Sequence, residues 1–157
     1  MKILVISDTH GAYEPLQDLK RQYPNMDLYL HCGDVCLAEH EIDPFIAVRG
    51  NCDYFCSLPD HRRIPTPYGD IYMEHGNRLF GIREEYVHAK KCKIFLSGHT
   101  HVHRIQKMED TWVINPGSFA RPRDGTEGTY CIIELNEKEI QIKIKDVTGK
   151  TITSISF

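Results

Sequence analysis

KILVISDTHG, residues 2–11, is the stretch on which the reading of the chain turns. Residues 2–7 are short, apolar and β-branched, which predicts a fully buried strand, and Asp8-Thr9-His10-Gly11 ends it abruptly. Polar residues therefore stand at the carboxyl end of a strand, where open α/β sheets bind ligands. A helix is expected from about Glu14 to Tyr23, with Pro15 tolerated in its first turn and Leu16 and Leu19 on one face. The next strand, DLYLH at 27–31, runs into Cys32-Gly33-Asp34. A third, FIAVR at 45–49, runs into Gly50-Asn51-Cys52-Asp53. Between them, residues 35–44 leave room for one turn or a brief helix. The order strand–helix–strand–loop–strand predicts an α/β sheet core.

The second half turns towards strands. Residues 62–66 and 70–75 read as a hairpin around Pro67-Tyr68-Gly69, followed by a helix over 83–91. KIFLS at 93–97 is another buried strand and leads into Gly98-His99-Thr100-His101. Antiparallel strands are expected at 102–108, 111–114, 129–135 and 139–145, with 115–118 and 122–128 as loops. Ile140, Ile142 and Ile144 alternate with Gln141, Lys143 and Lys145, giving one buried and one wet face. Residues 150–157 read as a weak edge strand or a frayed end. With no repeat, low-complexity segment or long linker, residues 1–157 read as a single domain.

Composition excludes several classes. Lysine plus arginine number 19 against 22 acidic residues, a net charge of -3, so no basic excess exists to displace counterions and no stable nucleic-acid partner is expected. No apolar run is long enough to span a bilayer. The five apolar residues before Asp8 are too few for a secretory segment, which points to the cytoplasm. The 6 cysteines are therefore expected as free thiols. Their C-x3-C pairs, 32/36 and 52/56, are wider than the usual structural-zinc spacing.

Five polar clusters follow predicted strands, and each alone has an ordinary explanation. Asp8 suits a helix cap, Gly33-Asp34 and Gly50-Asn51 suit turns, and His75 suits a satisfied half-buried histidine. Together they bring Asp8, His10, Asp34, Asn51, His75, His99 and His101 to one cleft. That many nitrogen and oxygen donors exceed what one tetrahedral ion needs and suit two divalent ions sharing a carboxylate.

In D-x-H at 8–10, G-D at 33–34, G-N-C-D at 50–53, H-G at 75–76 and G-H-T-H at 98–101, the chain resembles the calcineurin-like metallophosphoesterase superfamily. N-P-G-S at 115–118 with Pro122-Arg123 is similar to its small bacterial and archaeal phosphodiesterase-like branch. The resemblance implies a β-sandwich of mixed sheets flanked by helices, a four-layer α/β/β/α fold. It assigns Asp8, His10 and His101 to one ion, Asn51, His75 and His99 to the other, and Asp34 to the bridge. It further implies a metal-dependent phosphoesterase, foremost a phosphodiesterase of small diesters using a bridging hydroxide. The alternatives are a phosphomonoesterase or nucleotide phosphatase with the same centre, and a non-catalytic scaffold resembling the retromer subunit built on this fold. Manganese is the foremost ion in vitro, with iron, zinc, cobalt and nickel compatible.

Two positions depart from the family pattern. Cys52 stands where much of the superfamily places a histidine near the leaving group. Asn77 stands where many relatives have the second histidine of H-G-H. Asn51, Cys52, Asp53 and Asn77 are thus the candidate catalytic residues, Asp53 by orienting its neighbours. Arg49, Arg78, Arg121 and Arg123 are candidates for contacting phosphate. His31 is expected to pack and His103 to line the substrate opening. Strand edges near 139–157 leave room for a homodimer.

Overall fold

A computed structural model describes residues 1–157. Its central strand is β1 (Lys2–Ile6), paired in parallel with β2 (Leu28–His31), which in turn pairs in parallel with β3 (Ile46–Ala47). On its other side β1 meets β9 (Thr129–Leu135) antiparallel, followed by β10 (Ile140–Asp146) and β11 (Thr151–Ser156). The resulting sheet has the order β11-β10-β9-β1-β2-β3. A second sheet, β4-β5-β6-β8-β7, is built from β4 (His61–Ile64), β5 (Ile71–Glu74), β6 (Ile94–Leu96), β7 (His103–Met108) and β8 (Thr111–Pro116). Within it β5, β6 and β8 are parallel.

Alternation along β1 explains the layering. Ile3 and Val5 face inward and pack with Leu30 and Ile142 against Ile71, Met73, Leu96 and Ile114 of the second sheet. Leu4 and Ile6 face outward and meet Leu16 and Leu19 of α1 (Tyr13–Gln22) and Ile42 of α2 (Glu39–Ile42). On the far side, α3 (Glu84–Lys90) seats Val87 against Tyr72, Phe95 and Val113. Each such side chain contributes about 1.5–3 kcal/mol by leaving water. The order of layers is helices, sheet, sheet, helix, the four-layer α/β/β/α sandwich implied by the resemblance. No helix is long and apolar enough to cross a membrane.

Two strand expectations need revision. FIAVR is a strand over Ile46–Ala47 alone, because the Arg49 N–H donates to the Pro59 carbonyl at 2.8 Å and draws the chain away from β2. Asn115 and Pro116 belong to β8 and not to a loop, paired with Arg104 and His103. Of the two readings of residues 150–157, the edge strand is the one observed: six residues pair with β10, with a register shift at Ile144/Lys145. The helix-cap reading of Asp8 also fails, since the residue preceding α1 is Ala12 and makes no side-chain cap.

Candidate metal centre

Asp8 and His10 follow β1, Asp34 follows β2, Asn51 follows β3, His75 follows β5, and His99 and His101 follow β6. All 7 predicted ligands therefore sit beyond strand ends on one rim of the sandwich. Glycines allow the close approach. A Cβ on Gly50 would stand 2.2 Å from Asp34 Oδ1, and one on Gly98 would stand 1.9 Å from Ser7 Oγ and 2.8 Å from Asp8 Oδ2. The backbone is strained here as well: Asp8, His10, Asp34, His99 and His101 all adopt positive φ, between 44° and 68°. Left-handed non-glycine residues are costly, and five of them on one rim mark a functional constraint.

Ring tautomers define the site's chemistry. His75 Nδ1 lies 2.7 Å from the Cys32 carbonyl, and His101 Nδ1 lies 2.6 Å from the Arg121 carbonyl. A carbonyl only accepts, so both Nδ1 atoms carry the hydrogen and both Nε2 atoms present bare lone pairs. His101 Nε2 stands 3.1 Å from Asp8 Oδ1, and His75 Nε2 stands 3.5 Å from Asp34 Oδ1 and 3.2 Å from Asn51 Oδ1. His10 Nε2 is 3.4 Å from His101 Nε2 and 3.8 Å from Asp34 Oδ2. Acceptors thus face acceptors. Asp8, fully buried, has no hydrogen-bond partner at Oδ1, while its Oδ2 accepts the His99 N–H at 3.1 Å. An orphaned buried carboxylate oxygen among lone pairs requires a positive charge, and this donor set fits divalent cations.

The geometry has two halves. Ligand atoms of Asp8, His10, Asp34 and His101 all lie within 4.8 Å of one another. On the other side, His75 and Asn51 face Asp34 Oδ1, and the His99 ring packs on His75 with centroids 5.2 Å apart. Asp34 turns one oxygen to each half. Burial would raise its pKa, but His75 when protonated and the Cys52 N–H, 2.8 Å from Oδ1, outweigh burial and hold it below the usual carboxylate range. Burial likewise disfavours a charged His75, yet Asp34 and Asp8 prevail and raise its pKa. A proton and a metal ion would compete for that lone pair.

Above the cluster lies a cleft of about 480 Å³, walled by His10, Asp34, Asn51, Cys52, His99 and His101 and by Arg121, Pro122 and Arg123. No ion pair ties Arg121 or Arg123, whereas Arg49 and Arg78 both clamp Asp60, at 2.5 and 2.6 Å, outside the cleft. Cys52 lines the cleft, with its thiol pKa raised by burial and by Asp34. Asp53 touches none of the clustered side chains: it accepts the Cys36 and Gly50 N–H groups at 2.9 and 2.8 Å and so joins two loops. Asn77 lies outside the cleft, in a depression with Arg78 and Asp60. His31 is packed and neutral: its Nδ1 accepts the Gly33 N–H, its Nε2 faces Thr9 Oγ1 at 2.9 Å, and burial lowers its pKa to about 3. His103 lines a neighbouring depression that shares His99 with the cleft, and it pairs with Asp124 at 2.6 Å. Sequence reasoning missed Ser118, whose Oγ donates to the Asp8 carbonyl at 2.9 Å and accepts the Arg121 N–H at 2.8 Å. Its place in N-P-G-S was the available signal.

Known proteins resemble this chain in sequence and in fold. Residues 1–138 match the calcineurin-like phosphoesterase superfamily domain. The chain is 30% identical to the probable metallophosphoesterase YsnB of Bacillus subtilis, over 99% of this chain and 96% of YsnB. A conserved uncharacterized protein from Streptococcus pneumoniae, a predicted phosphoesterase, superposes with a TM-score of 0.90 at 22% identity, covering 99% of this chain and 96% of that one. Wild-type Vps29 from Entamoeba histolytica complexed with zinc gives 0.79 at 20% identity, covering 100% and 98%. A novel archaeal phosphodiesterase gives 0.69 at 20% identity, covering 92% and 99%.

Proposed function

The chain belongs to the calcineurin-like phosphoesterase superfamily, and from that premise we propose that it is a dinuclear metal-dependent phosphodiesterase acting on small diesters. The family supports a metal-dependent phosphoester hydrolase. The observation that carries the finer reading is the acceptor-only convergence around Asp34, which turns one oxygen towards His10 and the other towards His75. Asp8, His10 and His101 would hold one ion, and Asn51, His75 and His99 the other, with Asp34 shared. Bound there, two divalent ions would supply Lewis acidity, acidifying water and neutralising phosphoryl charge.

The chain's own residues account for the rest. Arg121 and Arg123, free of ion pairs, are placed to hold phosphoryl oxygens at the mouth of the cleft. His99 is shared with one adjoining depression and Cys52 with another, so both substituents of a diester find room. The Cys52 thiol stays protonated at neutral pH and serves as wall rather than nucleophile. Asn77 stands outside the cleft and cannot titrate, so no imidazole replaces the histidine of H-G-H. The departing alkoxide then takes its proton from solvent, which favours acidic leaving groups. Oxygen and nitrogen donors are compatible with manganese, iron, zinc, cobalt and nickel, and the family resemblance puts manganese first in vitro. Six cysteines without a disulfide support a cytoplasmic location.

A neighbour's description as a phosphodiesterase supports the substrate class, and the zinc bound to Vps29 supports metal binding on this fold. The test is turnover of the manganese-loaded protein on one aryl alcohol presented as phosphodiester and as monoester. Faster diester cleavage supports the proposal, and faster monoester cleavage would replace it with a phosphomonoesterase. Bound metal with no turnover on any ester would favour the scaffold reading.

A further inference from the structure

Cys36 has no part in the centre described above, yet the fold carries it to Cys52 from a different loop. Cys36 follows β2 and Cys52 follows β3, and their Sγ atoms lie with a ring nitrogen of His10 all within 4.8 Å of one another. Metal–sulfur bonds of about 2.3 Å and metal–nitrogen bonds of about 2.0 Å place the donors of a tetrahedral site at a similar separation. Cys56 stands apart from the group, with its Sγ 3.6 Å from the Leu37 carbonyl. We propose that His10, Cys36 and Cys52 form a second kind of metal site, for thiophilic divalent ions such as zinc or cadmium, beside the oxygen- and nitrogen-lined centre.

The surroundings are built for such an ion. Asp53 accepts the Cys36 N–H through one oxygen and the Gly50 N–H through the other, so a single carboxylate holds the two cysteine-bearing loops together. Asn51 Nδ2 lies 3.5 Å from Cys52 Sγ as a donor, which favours sulfur in its charged form. Cys36 is exposed and Cys52 lines the cleft, so an ion has an entrance and keeps a position open to solvent. Asp53 accepts the Cys36 N–H and Asp34 the Cys52 N–H, so a carboxylate stands beside each thiol-bearing residue, and Arg121 lines the cleft with Cys52.

An arriving ion displaces one proton from each thiol, two in all, as two metal–sulfur bonds form. The neighbouring carboxylates of Asp34 and Asp53 attract the dication that replaces those protons. Manganese and magnesium prefer oxygen, so the sulfur pair sorts ions by softness. The imidazole of His10 belongs to both ligand sets. Excess zinc would therefore draw it from the Asp8–Asp34–His101 group and slow the manganese-loaded protein, a consequence that rests on the phosphoesterase reading.

The site itself is tested without turnover. Intact, manganese-loaded protein is alkylated with iodoacetamide, with and without zinc, and each cysteine is followed by peptide mass spectrometry. Zinc should slow modification of Cys36 and Cys52 about tenfold and leave Cys56 unchanged, because a metal-bound sulfur is a poor nucleophile. Cys36→Ser should remove the protection of Cys52. Cobalt in place of zinc should give a near-ultraviolet sulfur-to-cobalt absorption in the wild type that C36S weakens. Equal alkylation rates with and without zinc, or the same cobalt spectrum in both proteins, would overturn the site. Diester turnover without thiol protection would reject this site and leave the phosphodiesterase reading standing. Thiol protection without turnover would do the reverse.

Discussion

Gly50→Ala should dismantle the centre with a single methyl group. Gly50 is absent from the glycines with positive φ, so its backbone accepts alanine and the effect is purely steric. The added Cβ would stand 2.2 Å from Asp34 Oδ1 and 2.3 Å from Asp34 N, where ordinary contact begins near 3.4 Å. A side-chain oxygen can rotate away, but a backbone nitrogen cannot, so the loop carrying Asp34 must move by roughly 1 Å, a displacement that can cost about 10²-fold in rate. Overpacking of this kind costs about 1–3 kcal/mol. For a chain of this size that lowers Tm by roughly 2–12 °C. Asp34 now stands 3.8 Å from His10 Nε2 and 3.5 Å from His75 Nε2, and the shift would break one of these relations. The assay combines diester turnover at saturating manganese, calorimetric ion binding and thermal melting. Gly81→Ala is the control: its φ of +99° strains alanine, but no atom lies within 4 Å of the new Cβ, so stability should fall while turnover holds. A folded G50A protein with turnover and ion affinity within about threefold of wild type would refute the steric account.

Asp34→Asn should lower ion affinity and turnover together, whereas Asp53→Asn, which disturbs only loop contacts, should cost about 10–100-fold; kinetics at matched ion occupancy must preserve that order. Arg121→Ala should raise KM for phosphoesters about tenfold by removing a charge-assisted contact, while Arg78→Ala, already tied to Asp60, should leave KM unchanged in the same assay. Asp124, despite burial, is held at about 2 by hydrogen bonds from Thr126 and His103. A depressed carboxylate stabilises above its unfolded pKa and loses that contribution as pH falls through its folded one. The Tm advantage of wild type over D124N should therefore be present above about pH 4 and vanish near pH 2; a constant advantage across that range would contradict it.

How much of this was legible depended on the range of the interaction. Buried strands announced themselves, because a strand covered on both faces admits few polar residues, and β1, β2 and β6 were all found within a residue or two. Glycine next to a carboxylate, amide or imidazole at each strand end located the rim. The length of β3 was hidden, because the Arg49–Pro59 hydrogen bond that shortens it joins backbone groups with no side-chain signature. The tautomers of His75 and His101 were equally hidden, being set by carbonyls of Cys32 and Arg121 far away in the chain. Asn77 shows the limit of motif reasoning: a position in a pattern does not say which way the side chain faces.

The path of the chain through the two sheets also has a consequence for biosynthesis. Every strand of the second sheet comes from His61–Pro116, whereas the first sheet is begun by residues 2–47 and completed only by 129–156. While the chain emerges amino end first, β1 has β2 for a neighbour but must wait for β9 to bond its other edge, across the long separation of Lys2 and Glu134. The nascent amino-terminal half therefore carries an open edge, with Asp8 and Asp34 already made but not yet locked against His99 and His101. Asp8 meets Ser118, whose Oγ donates to its carbonyl, only after every strand of the second sheet has been made.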